Sequence, residues 1–207
     1  TDTTKLFFLL NIMYNLHSDG FQVFRNAIPL DKVEYAKNQI NSQVNYFLLK
    51  PFIDKDLLGK ANNFLGENLT CIKYRVSNNT NSSDAGSFHR DLQSYVKNET
   101  TPVLTTLTYL DPAVMQLIPK SFNNTEIPFT KINEFYKSKI NIEMNPGDIL
   151  IFYASTIHRG IFYKNRAPDS NRRLIQCFDC VKLSDLNRFQ RSILHLPCGT
   201  NCSNIIS

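Results

Sequence analysis

Apolar residues in the first 68 positions recur at the spacing of amphipathic helices. This pattern predicts helices that end near residue 16, cover 31–47 and cover 55–65, with a short strand at 21–24. Gly66 follows the third helix, where a helix C-terminus favours glycine. The apolar positions that define the first two helices are Leu6, Leu9, Leu10, Met13 and Leu16, then Val33, Ala36, Ile40, Val44 and Phe47.

From residue 69 the pattern changes to short β-rich runs separated by turn residues. The polar stretch 77–87 is predicted to be a loop. Because no helical pattern separates the runs, they favour an antiparallel sandwich or barrel. We therefore expect one domain over 1–207, with helical support at 1–68, a β core at 69–183 and a C-terminal tail at 184–207. The predicted strands are 69–76, 87–95, 103–110, 140–144, 149–153, 156–162 and 174–183.

Composition places the chain among ordinary globular proteins. It has 207 residues, 42% of them hydrophobic and 20% charged, which suits a single domain with a sizeable core. No apolar run approaches the roughly 20 residues that cross a bilayer, so no membrane span is expected. The net charge of +5 comes from scattered basic residues, which suit anionic ligands weakly and do not by themselves indicate nucleic acid, so a nucleic-acid partner is not expected. Motifs of nucleophile elbows, phosphate-binding loops and dinucleotide sites do not occur.

The chemistry most visible in the sequence is a possible divalent-metal site. His89 and Asp91 lie two positions apart, so in a strand their side chains share one face. A third ligand is available in His158, which follows a Pro-Gly-Asp turn and a hydrophobic strand. Two imidazoles and one carboxylate on a β scaffold are typical of the facial triad that binds Fe(II) with positions left open. Each piece alone is common in structural roles, so the prediction depends on their combination.

These motifs, in their order, resemble the Fe(II)/2-oxoglutarate-dependent dioxygenases, most closely the branch of phytanoyl-CoA hydroxylase. The resemblance covers nearly the whole chain. Lys120 and Phe122 depart from the Gly and His of the family's loop, and Arg159 stands where the family has Gly after the distal His. The matching segments are 19–26, His89-Arg90-Asp91, 107–111 followed by 117–122, 146–158 and 172–176.

The resemblance implies a double-stranded β-helix (a jelly roll) with flanking helices. It implies that His89, Asp91 and His158 bind Fe(II) and that no further residue is catalytic. Arg172 is the expected clamp for the far carboxylate of 2-oxoglutarate, because a guanidinium binds a carboxylate with two parallel hydrogen bonds. Second choices for cosubstrate contacts are Arg173, which would face the other side of the strand, and Tyr74, Thr106 and Thr108.

The implied activity is hydroxylation of a small molecule by O2 and 2-oxoglutarate, with release of succinate and CO2 and with ascorbate as a candidate reductant. A peptide or protein hydroxylase on the same fold is an alternative, and a jelly-roll binding or structural protein without turnover is another. The sequence does not indicate which substrate is used.

The five cysteines give a competing hypothesis for metal binding. An odd number in a chain of this length is not typical of a disulfide framework, so a reducing, cytoplasmic compartment is expected. Their spacing approximates a zinc ribbon. Against this, residues three apart in the predicted strand 174–183 face opposite sides, which favours ordinary thiols. The residues concerned are Cys177 and Cys180, then Cys198 and Cys202, with Cys71 apart from them.

Overall fold

The computed structural model describes residues 14–41, 46–80, 87–91, 103–123, 137–161, 171–180 and 202–204. Up to residue 65 the described chain is mainly helical with one short strand, and the rest is mainly β. The helical segments are α1 (Leu16–Asp19), α2 (Leu30–Asn41), α3 (Tyr46–Pro51), a π-helical segment (Phe52–Leu58), α4 (Gly59–Leu65) and a 3₁₀ turn (Ser121–Asn123). The strands are β1 (Phe21–Phe24), β2 (Thr70–Thr80), β3 (Leu104–Tyr109), β4 (Ala113–Leu117), β5 (Ile140–Met144), β6 (Ile149–Tyr153), β7 (His158–Ile161), β8 (Asn171–Cys180) and β9 (Cys202–Asn204).

The strands form two antiparallel sheets. The larger has six strands in the order β1-β6-β3-β8-β2-β9, and the smaller has three in the order β5-β4-β7. Chain neighbours therefore often lie in different sheets, as in a jelly roll. Strands β1 and β9 join the large sheet from outside the range 69–183.

The two faces of the large sheet bury two different sets of side chains. The outer face packs against the helices, where Val33, Ala36 and Ile40 of α2 form a buried stripe. The inner face packs against the small sheet through residues such as Phe21, Leu107, Leu117 and Ile142. Because both faces of the central strands are covered, all six residues of β3 are buried. The cavity described below opens on the inner face.

The turn before β6 shows how the local sequence holds this strand in place within the core. Gly147 has φ +93°, and a Cβ there would lie 2.5 Å from the backbone oxygen of Ile28. The carboxylate of Asp148 is buried and accepts hydrogen bonds from the backbone nitrogens of Asn26 and Asn145 and from Arg25. These contacts therefore connect residues 25–28, between β1 and α2, to the start of β6, the strand that precedes His158.

The predicted elements agree with the structure in most of the β region and differ at several boundaries. Of the strand predicted over 87–95, the described residues 87–91 form only an isolated bridge at His89, and 92–95 lie outside the described residues. The predicted strands at 140–144 and 149–153 are found at those positions. Of the helix predicted over 31–47, residues 31–41 lie in α2 and 46–47 in α3, whereas 42–45 lie outside the described residues. Strand β2 continues to Thr80, into the stretch expected to be a loop. Strand β4 was not predicted, since its five residues follow Asp111-Pro112 and show no clear alternation of polar and apolar side chains. The predicted first helix lies mostly outside the described residues.

None of the helices in the described ranges is both long and apolar enough to cross a membrane.

Candidate metal and cosubstrate site

The two histidines of the predicted triad meet across a backbone bridge. The amide of His89 donates to the carbonyl of His158 at 3.0 Å, and the amide of His158 donates back at 2.9 Å. This isolated antiparallel bridge lies at the free edge of β7. Because residues directly opposite in an antiparallel pair point to the same face, the imidazole rings lie side by side, with centroids 4.5 Å apart.

Asp91 brings its carboxylate to the same point. Its Oδ1 lies 3.7 Å from Nε2 of His89, and its Oδ2 lies 3.6 Å from Nε2 of His158. One potential ligand atom from each residue lies within 4.8 Å of the others. Both separations are longer than a hydrogen bond, and three donors so spaced leave room for an ion between them.

Backbone carbonyls fix the protonation of both imidazoles. Nδ1 of His89 lies 2.9 Å from the carbonyl oxygen of Ser87, and Nδ1 of His158 lies 2.9 Å from that of Thr156. A carbonyl oxygen can only accept, so each Nδ1 carries the proton and each Nε2 presents its lone pair. Burial lowers the pKa of His158 to about 4, with His89 adding to this effect and Asp91 opposing it. Neutral imidazole is the form that binds metals.

The large sheet orients Asp91. Its Oδ2 accepts hydrogen bonds from Oγ1 of Thr105 at 3.0 Å and from Nε2 of Gln176 at 2.8 Å. Gln176 is in turn held by Nη2 of Arg75, which donates to its Oε1. Arg75, Gln176 and Thr105 lie on β2, β8 and β3, so three neighbouring strands position one carboxylate. Such partners fix ligand geometry.

The residue between the two ligands anchors the segment. Arg90 donates from Nε to the carbonyl of Ser155 at 2.7 Å and from Nη2 to the carbonyl of Ser121 at 3.0 Å. These bonds secure residues 87–91, which belong to neither sheet.

A cavity of about 270 Å³ extends from the two histidines into the space between the sheets. Arg172 and Tyr109 line its inner part, both buried. Gly160 makes room for them, because a Cβ at this position would lie 2.7 Å from the Tyr109 hydroxyl and 3.1 Å from Nη1 of Arg172. Burial raises the pKa of Tyr109, against the opposing charges of Arg172 and Arg75, so its hydroxyl stays protonated and can donate.

The charge of this cavity favours an anion. Two guanidinium groups, those of Arg75 and Arg172, are among its described lining residues, and none of these is a carboxylate. An arginine and a phenol hydroxyl side by side can bind a carboxylate. The pocket therefore fits a small dicarboxylate with one end at the histidines and the other at Arg172.

The alternatives to Arg172 lie elsewhere. Arg173 points to the outer side and binds Asp111 with Nε at 2.8 Å and Nη2 at 2.6 Å. Tyr74 is buried in the cluster that packs against the helices. Thr108 donates from Oγ1 to the carbonyl of Asp148, and Thr106 is buried opposite Cys177, on the helix-facing side. The structure thus brings only Arg172 of this set into the cavity.

Sequence reasoning missed the polar residues that complete the site. They are one position away from residues that it chose: Arg75 beside Tyr74, and Thr105 and Tyr109 beside Thr106 and Thr108. The available signal was the alternation of side chains along a strand. On each strand, the residues that share a face with Arg172 are spaced two positions apart.

Comparison of the sequence with models of protein families and with curated proteins gives no match. Comparison of the structure gives several solved structures that share its fold. The non-heme alpha-ketoglutarate-dependent epimerase SnoN, from nogalamycin biosynthesis, is 15% identical with a TM-score of 0.61 and covers 79% of this chain and 77% of its own.

Two further structures agree with this result. HygX from Streptomyces hygroscopicus, with nickel and 2-oxoglutarate bound, is 12% identical over 81% of this chain and 85% of its own, with a TM-score of 0.61. EctD from S. alaskensis, with 2-oxoglutarate and 5-hydroxyectoine, is 14% identical over 84% of this chain and 77% of its own, with a TM-score of 0.62. The chain has the double-stranded β-helix fold of these 2-oxoglutarate-dependent proteins, as the sequence predicted.

Proposed function

We propose that this protein is an Fe(II)- and 2-oxoglutarate-dependent oxygenase that hydroxylates a small molecule. The observation that carries the proposal is one cavity lined both by Arg172 and by His89 and His158, the two histidines that meet Asp91 in the candidate metal site. A binding or structural jelly roll has no need of both features together. The similar structures support the choice of cosubstrate, because HygX and EctD were solved with 2-oxoglutarate bound.

Different residues of the site would bind the iron and the cosubstrate. His89, His158 and Asp91 would bind Fe(II), each imidazole through the Nε2 that its Nδ1 proton leaves available. Arg172 would pair with the far carboxylate of 2-oxoglutarate, and the Tyr109 hydroxyl would donate a further hydrogen bond. When both groups are bound, they supply the oxidative decarboxylation of 2-oxoglutarate to succinate and CO2 that drives hydroxylation.

Exposure indicates the side from which a substrate would approach. The side chain of His89 is 38% exposed, whereas that of His158 is 4% exposed. Apolar residues of the cavity wall, namely Leu107, Met115 and Leu174, exclude water from the inner side. A substrate would therefore reach the metal over residues 87–91. A small molecule is favoured over a peptide, because EctD was solved with 5-hydroxyectoine.

The direct test is iron-dependent formation of succinate. Metal-free protein is supplied with Fe(II), 2-oxoglutarate, O2 and ascorbate, and succinate is measured without and with a panel of small molecules and peptides. We expect turnover that is lost in His89→Ala and kept in His17→Ala, since His17 contacts Tyr153 near α1 instead. Absence of iron-dependent succinate in the wild type would refute the proposal and favour the binding or structural alternative. Stimulation by peptides alone would favour the peptide hydroxylase.

An epimerase among the similar structures adds one outcome to this assay. Products are therefore scored for inversion of a stereocentre as well as for added oxygen. Inversion without hydroxylation would identify the second reaction on the same site.

A further inference from the structure

Two thiols and a carboxylate meet on the outer face of the large sheet, away from the cavity. Cys71 on β2 lies opposite Asp179 on β8 in the strand register. Cys177 lies two positions before Asp179, so these side chains share a face. Potential ligand atoms of the three residues lie within 4.8 Å of one another. Strand β8 therefore contributes to two clusters, one on each face of the sheet. Cys177 and Asp179 belong to this one, whereas Gln176 points to the opposite face, toward Asp91 of the candidate iron site.

The buried carboxyl group of Asp179 has only the hydroxyl of Thr106 as a polar neighbour that weakly favours its charged form, and burial raises its pKa to about 8. Asp179 and Cys177 are fully buried. Neither Oδ1 nor Oδ2 of Asp179 has a hydrogen-bond partner among the described residues. A buried polar group without a partner costs free energy, and for a carboxylate this cost is large. An ion held between the carboxylate and the two thiols would remove it.

The donor set selects the kind of ion. Cys71 and Cys177 are both free thiols. Two sulfur donors and one carboxylate oxygen are ligands that Zn²⁺ takes in tetrahedral sites, whereas Mg²⁺ and Ca²⁺ prefer oxygen alone. We propose that Cys71, Cys177 and Asp179 bind a zinc ion, at a site separate from the candidate iron site.

The surroundings provide access to the site, and an ion pair lies beside it. Cys71 is only half-buried, so this side of the site can admit the ion and a water molecule as fourth ligand. The ammonium of Lys50 interacts electrostatically with Cys71 and forms an ion pair with Asp54 at 2.7 Å. Because Asp54 neutralises this ammonium and also acts on Cys177, the pair adds no net charge, and two thiolates with one carboxylate would leave the site with one excess negative charge around Zn²⁺.

The position explains what the ion would do for the fold. The pairing of β2 with β8 shifts register between Cys71 and Lys73. A zinc ion at this point would connect the two strands where their ladder is interrupted. The site differs from the ribbon considered in the sequence, since Cys177 is joined by Cys71 from β2 rather than by the C-terminal cysteines.

Cobalt distinguishes this site from the candidate iron site by its spectrum. Protein purified under reductant and freed of metal is titrated with Co²⁺. We expect one equivalent to produce a sulfur-to-cobalt charge-transfer band in the near ultraviolet, which His and Asp ligands do not produce, and Zn²⁺ to abolish it. Cys71→Ser should lose the band, whereas His89→Ala and Cys198→Ser should keep it. Asp179→Asn should keep both thiolates but bind Zn²⁺ at least about tenfold more weakly.

Three results would overturn the proposal: no charge-transfer band in the reduced wild type, a band unchanged in Cys71→Ser, or a band lost in Cys198→Ser, which would assign it to the C-terminal cysteines. Circular dichroism checks the folding of each variant. Should Cys71→Ser not fold, X-ray absorption of the zinc-loaded wild type decides the matter, because two sulfur scatterers at about 2.3 Å are required. All of these readouts are independent of oxygenase activity.

Discussion

Nε2 of Gln176 donates a hydrogen bond to Oδ2 of Asp91 at 2.8 Å, which links the large sheet to the carboxylate of the candidate metal site. The two histidines are positioned by a backbone bridge at the edge of the small sheet. Asp91 is instead oriented from across the cavity, by Gln176 and Thr105. The geometry of the triad therefore depends on how the two sheets pack, and not only on the spacing of its residues.

Loss of this hydrogen bond should weaken metal binding without removing a ligand. In Gln176→Leu, we expect metal affinity to fall about 10- to 100-fold, since partners that orient ligands contribute this much. Anaerobic titration with Fe(II), or with Mn²⁺ in its place, measures the change. Gln116→Leu is the matched control, because this buried glutamine bonds to Asn141 and Arg159 on the other sheet. Equal affinity in Gln176→Leu and wild type would contradict the assigned role.

Arg172 and Arg173 are adjacent but face opposite sides of β8, which makes them a natural pair for comparison. Arg172→Lys should raise KM for 2-oxoglutarate at least about tenfold, because an ammonium cannot make the two parallel hydrogen bonds of a guanidinium. Arg173→Lys should leave this KM unchanged and lower stability, since it disrupts the bonds to Asp111. Kinetics at varied 2-oxoglutarate, together with urea denaturation, separate the two effects. The reverse pattern would assign the clamp to Arg173.

Gly160 should be sensitive to a single added methyl group. A Cβ at this position would lie 2.7 Å from the hydroxyl of Tyr109, so Gly160→Ala must displace Tyr109 or Arg172. We expect weaker binding of 2-oxoglutarate in Gly160→Ala and also in Tyr109→Phe, which loses a donor. In the double variant the clash with the hydroxyl is absent. Its loss of binding free energy for 2-oxoglutarate should therefore be smaller than the sum of the two single losses by about 0.5–3 kcal/mol. Strictly additive losses would show that the two residues do not interact.

The sequence allowed the triad to be predicted because its signals are local. His89 and Asp91 are two positions apart, and the Pro-Gly-Asp turn at Gly147 indicates that a strand begins before His158. The backbone bridge between the histidines then supplies what the sequence does not contain, which is their proximity. Gln176 could not be found in this way, since its role depends on the packing of β8 against residues 87–91.

The face of each strand that lines the cavity could not be identified from the sequence. Where one face of a strand is exposed, alternation of polar and apolar residues identifies the inner face. Every residue of β3 is buried, and its threonines occur on both faces, so alternation carries no such information. A shift of one position exchanges the two faces. Thr108 and Tyr74 were proposed because they lie on strands that flank the metal motif, whereas their neighbours Tyr109 and Arg75 line the cavity.

The ion pair of Asp111 with Arg173 should stabilise the fold. Both side chains are nearly buried, with 11% and 12% exposed, and the backbone nitrogen of Arg173 also donates to Asp111 at 2.8 Å. In Asp111→Asn we expect a loss of about 1–3 kcal/mol in the free energy of unfolding near neutral pH, because a charged, hydrogen-bonded partner is removed. Asp54→Asn serves as the control, since both side chains of its pair with Lys50 are about half exposed and this pair should contribute less than about 1 kcal/mol.

The same pair should make stability depend on pH in the acid range. Burial alone would raise the pKa of Asp111, but the hydrogen bonds and charge of Arg173 outweigh it and hold this pKa below its usual value. Between the lowered folded pKa and the ordinary pKa of the unfolded chain, the unfolded state binds more protons, so stability rises with pH there. The stabilisation is present in full above about pH 5 and is lost as pH falls toward the folded pKa. Urea denaturation at several pH values should therefore show a gap between wild type and Asp111→Asn that narrows on acidification, and a gap of constant size would contradict this assignment.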